Sequence, residues 1–205
     1  SLVSLAYKMI DYGLTGLEFL GGIPGSIGGA VFMNAGAYNK EMKDVLKEAL
    51  VIRKDGSVGV YENKDLRYEY RKSVFQNEAP ALIIEARLEL EIGDKHEIKE
   101  LLDKRKERRL STQPLEYPSG GSTFKNPKET SAYLLIDKAG LRGYMIGGAK
   151  ISEKHCNFVI NWKNATGKDI KNLVEYTIKS VSEKTGIILK PEIEFFNWDF
   201  YENSR

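Results

Sequence analysis

The chain has 205 residues, with 31 Lys+Arg against 29 Asp+Glu for a net charge of +2, and 41% hydrophobic residues. So small a net charge rules out nucleic acid or an anionic membrane as the default partner, and the apolar content rules out a disordered chain. One cysteine permits no internal disulfide, which suits the cytoplasm, and no stretch approaches the ~18 apolar residues of a membrane span.

Leu2, Val3, Leu5, Ala6, Met9 and Ile10 recur at helical spacing, and Gly13 stands where a helix stops. Leu17-Glu18-Phe19-Leu20 leads into a glycine-rich run; eight of the 19 glycines fall between Gly13 and Gly36. Two strands are expected from Val45 to Val60, joined near Asp55-Gly56, a common hairpin dipeptide. From Ala81 to Glu91, Leu82, Ile84, Ala86, Leu88 and Leu90 alternate with Glu85, Arg87 and Glu89, a half-buried strand pattern. Gly93-Asp94 breaks it, and a charged helix with Ile98, Leu101 and Leu102 follows to about Arg109. That break divides the chain into expected domains 1–93 and 94–205.

A loop is expected from Ser111 to Gly121, then a short helix around Ala132, Leu134, Leu135 and Ile136 closed by Gly140. Strands are expected at Gly143–Ile146, Ala149–Ile151 and Asn157–Trp162. Thr166 and Asp169 have capping-box spacing before a long helix with Ile170, Leu173, Val174, Thr177, Ile178 and Val181 on one face. Gly186 ends that helix and Ile187–Phe196 reads as a last strand. Helices and strands mix without regular βαβ alternation, so the expected class is α+β.

Four segments carry candidate chemistry. Gly21-Gly22-Ile23-Pro24-Gly25-Ser26-Ile27-Gly28-Gly29-Ala30 has the glycines that let a backbone approach a ligand and offer N–H groups to phosphate oxygens. It fits neither the G-x-G-x-x-G fingerprint nor a P-loop, and tight helix–loop packing explains such glycines equally well. Arg67-Tyr68-Glu69-Tyr70-Arg71-Lys72-Ser73 offers a guanidinium fork suited to carboxylates and phosphates, or else a solvated strand edge. In Tyr117-Pro118-Ser119-Gly120-Gly121-Ser122-Thr123-Phe124-Lys125-Asn126-Pro127, Ser122 follows paired glycines on an approachable backbone. No nucleophile elbow and no nearby histidine support a hydrolase triad; a proton relay or a plain turn serine remain. Glu192 and Glu194 share one face of the expected last strand. His155 and Cys156 are adjacent, hence poorly placed to share a metal, and no metal is expected; Cys156 reads as a buried small residue. Lys104-Arg105-Lys106-Glu107-Arg108-Arg109 reads as a solvated helix end with no aromatic interleaving for RNA.

In this order, from about Leu17 to Ile193, the segments resemble the UDP-N-acetylenolpyruvoylglucosamine reductase family, also called UDP-N-acetylmuramate dehydrogenase. Gly22–Ala30 and Met33-Asn34-Ala35-Gly36-Ala37-Tyr38 look like its second flavin-contacting segment. Tyr70-Arg71-Lys72-Ser73 looks like its catalytic arginine motif, Gly121–Pro127 its catalytic serine motif, and Pro191-Glu192-Ile193 its catalytic glutamate. Ala139-Gly140-Leu141-Arg142-Gly143 and His155-Cys156-Asn157-Phe158 fit its substrate domain, and the compact Tyr117–Pro127 loop its shorter subtype.

The resemblance implies the C-terminal part of a flavin-binding, vanillyl-alcohol-oxidase-like domain followed by an α+β substrate-binding domain. It implies a cytoplasmic enzyme of peptidoglycan precursor synthesis that uses NADPH and FAD to reduce the enolpyruvyl ether of a UDP-sugar. No nucleic acid, membrane or obligate protein partner is implied. Arg71, Ser122 and Glu192 (protonated or sharing a proton) would be catalytic. Gly22, Ile23, Pro24, Gly25, Ser26, Gly28, Gly29 and Ala30 would contact flavin, and Tyr70, Lys125, Asn126 and His155 substrate. The family's first flavin subdomain would precede Ser1, so a truncated form with impaired FAD binding is also implied. The competing readings are a flavoenzyme that oxidises an alcohol or sugar acid, and a nucleotide-sugar binding module without catalysis.

Overall fold

A computed structural model describes residues 1–78 and 82–196. The chain separates into two units, Ser1–Arg109 and Leu110–Arg205. Mixed helices and antiparallel sheets make each α+β, as expected.

The first unit runs α1 (Leu2–Tyr12), β1 (Leu14–Thr15), α2 (Ile27–Met33), β2 (Gly36–Ala37), β3 (Lys40–Glu41), β4 (Leu46–Ile52), β5 (Val58–Glu62), α3 (Phe75–Glu78), β6 (Leu82–Leu88), β7 (Glu91–Ile92) and α4 (Lys95–Thr112). The Ser1 hydroxyl accepts from the Ser4 N–H, Leu2 and Ala6 are buried, and Gly13 ends α1 in a left-handed conformation. Strands β5, β4 and β6 form an antiparallel sheet with β4 in the middle. Its inner face, with Ala49 and Val51, joins Phe19, Leu20, Val31, Met42, Leu66 and Phe75 in one core.

The alternation expected across residues 81–91 breaks inside β6; Ala81 itself lies outside the described residues. Leu50 pairs with Glu85 but Val51 pairs with Ile83, so Ile84 is an extra residue. This bulge turns Ile83 toward the core and leaves Leu82 and Ile84 exposed. The run then ends at Leu88, and Glu91–Ile92 pairs separately with β1.

Helix α4 runs on to Thr112, so Ser111 is helical rather than looped. Its Ile98 and Leu102 are buried in the first unit's core. The division between units falls inside this helix, after Arg109, whereas the sequence suggested a break at Gly93.

The second unit holds β8 (Ser119–Ser122), α5 (Ala132–Lys138), β9 (Met145–Ile146), β10 (Ala149–Ile151), β11 (Phe158–Asn161) and α6 (Gly167–Thr185). Its antiparallel sheet has the order β8-β11-β10-β9. Residues Ser119–Ser122, read as loop and motif from sequence, are an edge strand of this sheet. The Thr166–Asp169 capping box forms as expected, and Gly186 closes α6. Phe124, Ile136, Leu173, Val174, Val181 and Leu189 form the core, with Cys156 buried among them.

The expected final strand is reduced to a single bridge between Pro191 and Phe124. The Lys125 N–H donates to the Lys190 carbonyl at 2.9 Å and the Glu192 N–H to the Thr123 carbonyl at 2.8 Å. These two rungs flank the Phe124–Pro191 pair. Among the described residues no helix is long and apolar enough to cross a membrane.

Candidate active site

The glycine-rich segment enters α2 through exposed Pro24, Gly25 and Ser26. The Ser26 hydroxyl caps the helix by accepting from the Gly29 N–H at 3.0 Å. Gly25 has φ 151, open to glycine and strained for other residues. The first N–H groups of α2, from Ile27 and Gly28, have no acceptor within their own helix. An exposed loop, a helix start and an exposed Gly29 give a donor set that fits an anionic or carbonyl-rich cofactor edge. Ile23 packs on the core and Ala30 lies inside it, so these two shape the segment from below.

Helix α2 also organises the arginine motif. Its C-cap Asn34 is wholly buried with φ 46. The Asn34 amide donates to Glu41 Oε2 and to the Glu69 carbonyl, each at 3.0 Å, while its oxygen accepts from the Lys43 N–H at 3.0 Å. The Tyr68 hydroxyl donates to the Val31 carbonyl at 2.9 Å, and the buried Ser73 hydroxyl to the Phe32 carbonyl at 2.6 Å. Burial pushes the Tyr68 phenol well above its ordinary pKa, so it stays a donor. The last turn of α2 thus pins residues 68–73, which close on themselves by paired Glu69–Lys72 backbone bonds of 3.1 Å.

Arg71 sits in that turn with φ 55. Its Nη2 donates to the Gly36 carbonyl at 2.8 Å, and its Nη1 lies 3.9 Å from Glu41 Oε1. The guanidinium carbon lies 4.7 Å from the Tyr70 ring centroid. Carbonyl, carboxylate and ring therefore orient the fork, while Tyr70 remains 45% exposed.

In the second unit, Ser122 and Glu192 are brought to neighbouring segments. Ser122 pairs with Phe158 of β11, and the next residue, Thr123, receives the Glu192 N–H. Ser122 is exposed, Glu192 half-buried and Glu194 exposed. The segment between is fixed from the other side by Asn157, which is 3% exposed. Its amide donates to the Phe124 carbonyl at 2.8 Å and its oxygen accepts from the Phe124 N–H at 2.9 Å. The Thr123 hydroxyl completes the seam by accepting from the Val159 N–H at 3.1 Å.

The remaining candidates have local duties. The Asn126 oxygen accepts from the Ala132 N–H at 3.0 Å at the start of α5. Lys125 is half-buried, its backbone held by Lys190. His155 packs between Tyr133 and Phe158, with ring centroids 5.0 and 4.9 Å away, and its Nδ1 accepts from the Asn157 N–H at 3.3 Å. Burial, with the Arg142 charge as a lesser cause, lowers its pKa and favours the neutral ring. Arg142 binds Asp137 at 2.9 Å, the Tyr133 hydroxyl at 3.0 Å and the Glu153 carbonyl. Burial raises the Cys156 thiol to about 11, so it is an inert core residue. No group of three His, Cys, Asp or Glu able to hold a metal occurs among the described residues.

The basic run departs from expectation. Arg105 and Arg109 are half-buried, where the sequence suggested a solvated helix end. Both fall on the face that buries Ile98 and Leu102, and extending that spacing past Leu102 would have found them. Asn34 and Asn157 were quoted within motifs but given no role; only their side-chain bonding, invisible in a single sequence, assigns one.

The profile of the UDP-N-acetylenolpyruvoylglucosamine reductase C-terminal domain matches residues 113–196. UDP-N-acetylenolpyruvoylglucosamine reductase of Caldanaerobacter subterraneus subsp. tengcongensis is 47% identical over 194 residues, covering 95% of this chain and 64% of that protein. The Bacillus subtilis reductase is 44% identical with the same coverage. The chain thus spans a little under two thirds of the length of these curated relatives. The crystal structure of the Thermus caldophilus reductase superposes with a TM-score of 0.81 at 37% identity, covering 94% of this chain and 68% of that one. Fold, motif order and this match together show that the chain belongs to the UDP-N-acetylenolpyruvoylglucosamine reductase family.

Proposed function

We propose that the protein reduces the enolpyruvyl ether of a UDP-N-acetylglucosamine to the lactyl ether of UDP-N-acetylmuramate, in the cytoplasm, during peptidoglycan precursor synthesis. The reading rests on family membership and, above all, on one observation: the backbone bond from Glu192 to Thr123, which sets Glu192 beside the Ser122 strand.

Bound FAD would supply a hydride, drawn from NADPH, to the terminal vinyl carbon of the substrate. The exposed Pro24–Ser26 loop, with Gly22, Gly28 and Gly29, would hold it through backbone N–H groups, and Ile23 and Ala30 would support that loop. As the new C–H bond forms, the vinyl π pair moves onto the adjacent carbon and its carboxylate. Arg71, its fork preset by Gly36, Glu41 and Tyr70, would stabilise that enolate by charge and paired hydrogen bonds. Glu192 would share the task. Ser122 would give its proton to the carbon next to the carboxylate and recover one from solvent. Lys125, three residues on, would offset the transient alkoxide. Tyr70, Asn126 and His155 would contact the UDP-sugar.

The test is steady-state. The complete gene product should oxidise NADPH only when the enolpyruvyl UDP-sugar is present, with a product two mass units heavier than the substrate. Equal NADPH oxidation with an alcohol or sugar acid, or none with the enolpyruvyl substrate, would overturn the assignment.

A further inference from the structure

The first unit carries two arginines that neither its packing nor the chemistry above employs. Arg105 and Arg109 prolong the buried Ile98–Leu102 face of α4, while Lys104, Lys106, Glu107 and Arg108 are exposed. Leu102 and Arg109 reach the glycine-rich segment at its start. A Cβ on Gly21 would stand 2.2 Å from Leu102 Cδ2, and one on Gly22 would stand 2.4 Å from Arg109 Cδ and 3.1 Å from its Nη1. The paired glycines therefore let α4 lay an arginine directly against the loop that runs into Ser26 and α2. The Arg105 guanidinium carbon lies 4.5 Å from the Tyr38 ring centroid.

Neither arginine has an anion of its own. Among the described residues, Arg109 makes no ion pair or hydrogen bond, and Arg105 makes only the Tyr38 contact. The carboxylate nearest in influence on Arg105 is Glu18. Its oxygens already accept from the Thr15 hydroxyl at 2.7 Å and the Gly16 N–H at 3.0 Å. Burial is the largest influence on both guanidinium groups and disfavours their charge. A desolvated cation without a partner costs free energy, and an arriving anion recovers it. Two planar forks on one helix face, with Arg109 laid against the glycine-rich loop, match phosphate oxygens better than any neutral ligand.

We propose that Arg105 and Arg109 form an anion-binding arm that grips a phosphate group of the nucleotide cofactor at the Gly21–Ser26 loop. The proposal rests on the flavin reading of that loop. Riboflavin, FMN, FAD and inorganic pyrophosphate are titrated separately into the complete gene product by calorimetry. Arg105→Gln, Arg109→Gln and, as an equal charge change on the exposed face, Lys104→Gln are compared, with thermal melts reporting folding. FMN and FAD should bind more tightly than riboflavin, and each arginine variant should lose about 10- to 100-fold in FMN and FAD affinity, as for a charge-assisted hydrogen bond. Lys104→Gln should bind as the parent does, and Arg109→Lys should recover part of the loss. Unchanged flavin binding in both arginine variants, or equal loss with Lys104→Gln, overturns the arm and leaves the flavin reading standing. Arginine-dependent binding of pyrophosphate with no flavin binding keeps the arm and removes the flavin reading.

Discussion

Replacing Asn157 by Ala tests how the Ser122 strand is held. The side chain answers both backbone groups of buried Phe124, at 2.8 and 2.9 Å, as a strand partner would. Alanine supplies neither atom, at a position only 3% exposed to solvent. Each backbone group left unpaired costs about 1–3 kcal/mol, so the loss for the two should be roughly 2–6 kcal/mol. For a domain of this size that is a melting-temperature drop of about 10 °C or more. Asn157→Asp should also fail, because it keeps the acceptor for Phe124 N–H but loses the donor and buries a charge. Both tryptophans, Trp162 and Trp198, fall in the sequence of the second unit, so fluorescence-monitored urea unfolding reports on it. A loss below about 1 kcal/mol would mean that water or backbone adjustment satisfies Phe124, and that Asn157 does not hold the strand.

Asn34→Ala should cost about 2–4 kcal/mol, since three hydrogen bonds vanish and alanine must keep φ 46. Asn34→Gly should be less damaging by about 1 kcal/mol, and equal losses would remove the backbone share of that cost. His155 has a folded-state pKa below the ordinary 6.5, so the unfolded chain binds the extra proton first. Stability should therefore be full above about pH 6.5 and fall as the pH drops below it; His155→Phe, which keeps the ring packing, should flatten that part of the profile. A slope unchanged in His155→Phe would assign it to other groups. Ser122→Ala should leave thermal stability within about 0.5 kcal/mol, because the hydroxyl is exposed at a sheet edge; a larger fall would give Ser122 a structural duty.

Helices α1, α5 and α6 were legible because capping residues and 3.6-residue spacing act locally, as Gly13, Thr166–Asp169 and Gly186 show. The β4–β5 hairpin followed from Asp55-Gly56 in the same way. What escaped depends on partners far along the chain. The β6 bulge is set by pairing with β4, so alternation alone gave the wrong face to Ile84. The residues after Ile187 alternate as a strand does, but their pairing is a single bridge to the distant Phe124 segment. The site residues were quoted as motifs, whereas their mutual support through Asn34 and Asn157 arises only when distant segments meet. Arg105 and Arg109 were hidden because a run of charges reads as solvated until the face of the helix is known.

The most direct measurement of the central claim is anaerobic stopped-flow spectroscopy of Ser122→Ala in the complete gene product. The account predicts that NADPH bleaches the flavin absorbance as in the parent protein. It predicts that the enolpyruvyl UDP-sugar then restores that absorbance orders of magnitude more slowly, because no group delivers the proton. Restoration at the parent rate would contradict it.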